Sequence, residues 1–133
     1  MDDEVHGPYK QAMERGDRDG VRAALAEGIL LHSPVTPKPF VGRDAVAHVL
    51  GSILEIFEDL RFDAPVSTAP FVVLPFRARI GDRDLQGVDL LRFDEDGLIA
   101  EFTVMVRPLT GLLALQNQMG PRFGAAPLQL VAG

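Results

Sequence analysis

Near Asp59–Leu60 the hydrophobic period of this chain changes from three or four residues to two, and few folds accommodate both halves. From Asp44 to Asp59, Val46, Val49, Leu50, Ile53, Leu54 and Phe57 recur at helical spacing, which predicts one amphipathic helix. Beyond Leu60 apolar residues alternate with polar ones, which predicts strands at about 60–64, 71–80, 84–93 and 98–107. Gly81-Asp82-Arg83 and Asp94-Glu95-Asp96-Gly97 supply the turns between the last three, and Pro108 ends the series. Helices followed by an antiparallel meander place the chain in the α+β class, with one layer of helices on one curved sheet.

The flanks fit the same plan. Tyr9, Ala12 and Met13 sit at helical spacing over 8–15, ending at Gly16. Asp17 is a natural N-cap for a second short helix that buries Val21, Ala24 and Leu25 and stops at Gly28. Ile29–Leu31 reads as a short buried strand, and three prolines between Ser33 and Phe40 argue for irregular chain. Leu109–Met119 can form a terminal helix, after which a Gly-, Ala- and Pro-rich tail begins at about 120. No linker or internal repeat divides residues 1–133, so a single domain is expected.

Composition narrows the partners. A formal charge of −6 repels a phosphate backbone, so no nucleic acid is expected. No apolar run approaches the roughly 20 residues that span a bilayer, and the first twenty residues carry no signal-like apolar core, so no membrane and a cytoplasmic location are expected. The chain has no cysteine, and His6, His32 and His48 have no metal-ligand spacing, so neither metal nor cofactor is expected.

The pleat brings out one anomalous residue. With Ile80 set opposite Leu85, one face carries Leu74, Phe76, Ala78 and Ile80 beside Leu85, Gly87, Asp89, Leu91 and Phe93, while Arg77, Arg79, Gln86 and Arg92 share the other. Pairing Phe93 with Leu98 adds Phe102, Val104 and Val106 to the apolar face. Asp89 is then a lone carboxyl on an oily surface, where it must stay protonated or meet a donor. A solvated site at the sheet rim, or a structural hydrogen bond to a helix, is the competing reading. The opposite face mixes Val88, Leu90, Thr103 and Met105 with charged residues and needs cover. A homodimer through this convex face, or the tail segment Leu128–Val131, would provide it.

The run Tyr9-Lys10-Gln11-Ala12-Met13-Glu14-Arg15-Gly16-Asp17, Ser33-Pro34-Val35 with Gly42 behind it, Gly87-Val88-Asp89-Leu90-Leu91-Arg92-Phe93, and Asp96-Gly97 before the final strand resemble the nuclear transport factor 2-like superfamily, in its SnoaL-like and ketosteroid isomerase-like branch. The resemblance covers nearly the whole chain to about Met119. It implies a cone-shaped curved sheet packed against N-terminal helices around an apolar pocket. It also implies that Tyr9 and Asp89 occupy the positions of two donors to a developing enolate oxygen, the acid kept neutral by its surroundings. The position of the usual aspartate base is held by Ser33, whose hydroxyl is too weak a base to deprotonate carbon unaided. His32, adjacent to it, is a candidate for the missing base, since histidine is the side chain best suited to proton transfer at neutral pH, but strand alternation points it away from Ser33. The acidic residue that SnoaL-type cyclases carry on the last strand is absent from Phe102, Val104 and Val106. The two inward carboxylates and bridging arginine of limonene epoxide hydrolases are missing too.

The helix face Val46, Val49, Leu50, Ile53 and Phe57 would form one pocket wall. Phe76, Leu91, Phe102, Val104 and Val106 would form the sheet wall, Val35 would also contact the ligand, and Pro39 and Phe40 sit on an irregular loop that would act as a mouth or lid. Two functions stay open: an isomerase- or cyclase-type enzyme acting on a small hydrophobic carbonyl compound (steroid, terpenoid or polyketide), and a non-catalytic small hydrophobic ligand-binding or dimeric scaffold module.

Overall fold

The computed structural model describes residues 4–124; the tail segment Leu128–Val131 lies outside them. Helix α1 (Gly7–Arg15) starts with Pro8 in its first turn and ends at Gly16, whose φ of 68° lets the chain reverse. Asp17 caps α2 (Arg18–Ala23) by accepting the Gly20 N–H at 2.9 Å. Strands β1 (Leu25–His32) and β2 (Phe40–Val41) precede the long helix α3 (Arg43–Ile56), and β3 (Glu58–Phe62) and β4 (Val66–Thr68) follow it. Then come β5 (Phe71–Ile80), β6 (Arg83–Phe93), β7 (Ile99–Arg107), α4 (Leu109–Met119) and a 3₁₀ turn over Gly120–Phe123.

The strands form a curved, unclosed sheet in the order β2-β1-β7-β6-β5-β3, with β4 also on β5. This agrees with the α+β class expected. Several details differ. β1 pairs with β7 in parallel, so the sheet is mixed rather than wholly antiparallel. Gly28 lies inside β1 instead of ending a helix, where the β1–β7 pairing shifts register between Leu25 and Leu30. α3 stops at Ile56 because Phe57 turns extended to meet the Phe76 ring at 5.9 Å, and Asp59 takes a φ of 54°. Phe40, just past the third proline, pairs with Leu31 as part of the short strand β2.

Both expected hairpin registers are off by two residues or one. Ile80 faces Arg83 across a two-residue turn, Gly81-Asp82, in which Gly81 adopts φ 61° as primed hairpin turns demand of glycine. Ala78 therefore faces Leu85, and Leu74 faces Asp89. A shift of two leaves every side chain on its face, because the pleat repeats every two residues. Leu91 faces Phe102 and Asp89 faces Val104, and an irregularity between Arg92 and Phe93 then sets Phe93 against Ile99 rather than Leu98.

The concave face is packed by Leu74, Leu91 and Phe102 against α1, α2 and α3, all three side chains being fully buried. A second cluster, with Phe76, Ala78, Ile80 and Leu85, is closed by Ile56 of α3 and Leu115 of α4. On the convex face Met105 is 52% exposed. Gly87 marks a close approach at the sheet centre: a Cβ there would lie 2.1 Å from the Met105 carbonyl oxygen and 2.7 Å from the Phe76 ring. Gly87→Ala must spread β6 from β7 and also displace Phe76, so we expect a loss of about 2–4 kcal/mol. An unchanged urea midpoint in that variant would mean the strands yield at little cost.

Candidate functional site

Between α1, α3, α4 and the concave face lies a cavity with an open mouth. Its helical walls carry Tyr9 and Met13 of α1 and Val49, Leu50 and Ile53 of α3. Phe76, Asp89, Phe102 and Val104 line it from the sheet, and Ser33–Thr36 with Phe40 border the entrance side. Burial sets its axis. Tyr9, Leu50, Asp89 and Phe102 are at most 5% exposed, whereas Val35 and Phe123 are 38% and 40% exposed.

Tyr9 and Asp89 meet in the buried part. The Tyr9 hydroxyl donates to Asp89 Oδ2 at 3.2 Å, joining residues 80 positions apart in the sequence. α1 delivers Tyr9 because its buried stripe, Tyr9, Ala12 and Met13, must turn toward the sheet. The ring is held edge-on to Phe102 and Phe62, with centroids at 5.5 and 6.4 Å. Burial strips water from Asp89 and pushes its carboxyl up to about 7, while the Tyr9 hydrogen bond opposes part of that rise. Burial, together with the nearby Asp89 carboxylate, holds the Tyr9 phenol well above 10. Below about pH 7 both groups are therefore neutral donors in an apolar enclosure.

Ser33 also lines the cavity. Its Oγ accepts the Val35 and Thr36 N–H groups at 3.3 and 3.2 Å, which shapes the Ser33–Thr36 turn. His32 is placed elsewhere. Its Nε2 lies 2.7 Å from Glu101 Oε2, and Arg92 Nε is 3.5 Å from the other Glu101 oxygen. The histidine hydrogen bond, then Arg92, hold the Glu101 carboxyl below its ordinary range. Because β1 alternates and Leu31 and Ser33 take the cavity side, His32 faces the opposite surface of the sheet.

Three further expected lining residues lie outside the cavity. Val46 and Leu91 are completely buried in solid core, Leu91 one strand position past Asp89 on the same face. Val106 packs beside Leu85 and Leu112 in the second cluster, further along β7 than the cavity extends. Conversely, Leu31, Pro34, Thr36, Leu60 and Phe62 line it without having been singled out. So do Leu115, Gln116, Met119, Gly120 and Phe123, which come from α4 and the turn after it. Apolar spacing in 109–119 announced a helix, but nothing local to that segment says which surface it covers.

The SnoaL-like domain family matches residues 8–102, a span that includes Tyr9, Ser33 and Asp89. The chain is 38% identical to a steroid delta-isomerase from Pseudomonas aeruginosa, over 90% of this chain and 89% of that one, with a TM-score of 0.85. It is 32% identical to an uncharacterized protein conserved in bacteria, with a cystatin-like fold, from Silicibacter pomeroyi, over 89% and 84% of the two chains and with the same TM-score. A de novo designed protein with a curved β-sheet, 12% identical over 86% and 91% of the chains, has a TM-score of 0.71 and shares the fold alone. A search of curated proteins returned no match. None of the helices among the described residues is long and apolar enough to cross a membrane. With a domain match over well above half its length and an isomerase relative 38% identical, this chain belongs to the SnoaL-like family of the nuclear transport factor 2-like superfamily, in its ketosteroid isomerase-like branch.

Proposed function

We propose that this protein is an isomerase-type enzyme for a small hydrophobic carbonyl compound (a steroid, terpenoid or polyketide), whose oxygen is held by Tyr9 and Asp89. The observation that carries the reading is the Tyr9–Asp89 hydrogen bond inside an otherwise apolar cavity. A carbonyl oxygen arriving there would take one hydrogen bond from the protonated acid and, once the Tyr9 hydroxyl turns from Asp89 Oδ2 to the ligand, a second from the phenol. Both bonds strengthen as negative charge develops on that oxygen, so they favour the enolate over the ketone. The enclosure excludes water that would otherwise screen the interaction. The identity of the P. aeruginosa relative supports the same chemistry.

One observation favours the second reading, a non-catalytic holder of hydrophobic ligands. Ser33 stands where a base would be needed, and its oxygen already accepts two backbone N–H groups. His32 is engaged with Glu101 on the far side of the sheet. Proton transfer would then depend on water held at Ser33 or on a basic group of the substrate.

A fluorescent phenolic steroid separates the two, since its phenolic oxygen resembles the enolate oxygen. We expect tight binding that Tyr9→Phe and Asp89→Asn each weaken roughly tenfold or more, the range for hydrogen bonds to a charged acceptor. Binding that ignores both substitutions would leave the pair a structural contact and favour the ligand holder.

A further inference from the structure

We propose that Gln116 is a specificity-determining residue whose side-chain amide receives a second oxygen-bearing group of the ligand, away from the Tyr9–Asp89 end. The preferred ligand is then an apolar skeleton with an oxygen function at each end. The inference adds a second polar contact to the reading above and rests on that reading for the first.

Five residues with polar side chains line the cavity: Tyr9, Ser33, Thr36, Asp89 and Gln116. Tyr9 and Asp89 satisfy one another, and Ser33 is occupied by the turn that follows it. Thr36 is exposed and meets bulk water. Gln116 differs from all four. It is half-buried on the wall made by α4, between Leu115 and Met119, and its amide has no side-chain partner among the described residues. No buried side-chain nitrogen or oxygen among the described residues lacks a partner, so the Gln116 amide still reaches water; its two donors and one acceptor are therefore open to a polar group of a ligand. Gln118, two residues on, is exposed, whereas Gln116 is half-buried and borders the cavity.

The wall that carries Gln116 is pinned. Beyond Gly120, Phe123 packs on Phe40 and His48 with ring centroids at 5.4 and 5.2 Å, tying the end of α4 to the mouth. Glu55 of α3 pairs with both Arg122 and Arg18. Arg18 donates in addition to the Gly51 carbonyl at 3.0 Å, lying where a Cβ on residue 51 would come within 2.9 Å of its guanidinium. One carboxylate thus fastens the segment after α4 to α3 and α2. Gln116 is held by that frame on an element separate from those that carry Tyr9 and Asp89.

Two matched probe pairs test this by competition titration against a fluorescent phenolic steroid: estradiol with its 17-deoxy analogue, and 6-(4-hydroxyphenyl)hexan-1-ol with 4-hexylphenol. The wild type should favour the ligand with the second hydroxyl by about fivefold in at least one pair, as one additional hydrogen bond provides. Gln116→Leu should erase that preference while leaving the affinity of the deoxy member within twofold. Gln116→Asn, which keeps the amide but shortens the reach, should retain part of it. Tyr9→Phe and Asp89→Asn should weaken both members of a pair equally and leave the ratio intact. A wild type indifferent to the second hydroxyl in both pairs, or a ratio that survives Gln116→Leu, overturns the proposal. Erasure of the ratio by Gln116→Leu with indifference to Tyr9→Phe and Asp89→Asn would uphold Gln116 and remove the oxyanion reading. Failure of all four probes to bind would overturn both.

Discussion

Ser33→Asp should raise the rate of double-bond migration in a β,γ-unsaturated ketosteroid by about 10²–10⁴-fold, the usual contribution of a positioned general base. The site would otherwise be complete: an apolar cavity, a phenol and a neutral acid for the oxygen, and an oxygen-bearing side chain that cannot take a proton from carbon. An aspartate suits the backbone at 33, because a carboxylate accepts the Val35 and Thr36 N–H groups as the serine hydroxyl does. Those same N–H groups stabilise the carboxylate and lower its basicity, which argues for the lower half of the range. Ser33→Asn, similar in shape but without a base, should give no gain. Adding Tyr9→Phe to Ser33→Asp should remove most of the gain, since the enolate would lose a donor. Steady-state kinetics on the four proteins decide the matter: equal rates for the Asp and Asn variants would mean that residue 33 does not face a reacting carbon.

The stability difference between Asp89→Asn and wild type should change by up to about 4 kcal/mol between pH 4 and pH 8, in favour of the variant at the higher pH. The sign follows from the direction of the shift. In the folded protein the Asp89 carboxyl titrates at about 7, whereas in the unfolded chain it titrates near its ordinary value of 3.8. Between those values the folded state holds a proton that the unfolded state releases. This contribution is fully present below about pH 4 and lost as pH rises through 7. Asparagine keeps the shape and has nothing to ionise. Taking the variant against wild type at each pH cancels the titration of the other carboxylates. Asp89 lines a cavity with an open mouth rather than solid core, so 4 kcal/mol is an upper figure. Urea unfolding at pH 4, 5.5, 7 and 8 provides the test. A difference constant with pH would show that Asp89 ionises as a solvated group.

Asp89 was legible before any tertiary contact was known, because strand alternation places it on the apolar face under any register shifted by an even number of residues. The hairpin registers were misplaced by one or two residues for the complementary reason. Alternation specifies the face, whereas the turn geometry at Gly81-Asp82 and the irregularity at Arg92–Phe93 specify the partner. Tyr9 was legible as part of a buried helical stripe, and its pairing with Asp89 came only from resemblance to a family. The extents of α3 and β1 were missed where local pattern and tertiary need disagreed. Phe57 continues a helical apolar stripe yet is drawn to Phe76, and Gly28 resembles a helix stop yet sits in a strand whose register against β7 shifts.

By itself the sequence determined the class of fold, the order of the main helices and long strands though not the short β2 and β4, which faces are apolar, and the presence of one carboxyl on the wrong one. These properties depend on spacing along the chain, which period two and period 3.6 record directly. Only the tertiary structure decided that β1 runs parallel beside β7, that Val46 and Leu91 end in solid core rather than at the cavity, and that α4 closes the fourth wall with Gln116 on it. Those outcomes depend on how far a curved sheet and three helices stand apart at each level of the cone. That separation is set by all the packed side chains together, and by no segment alone.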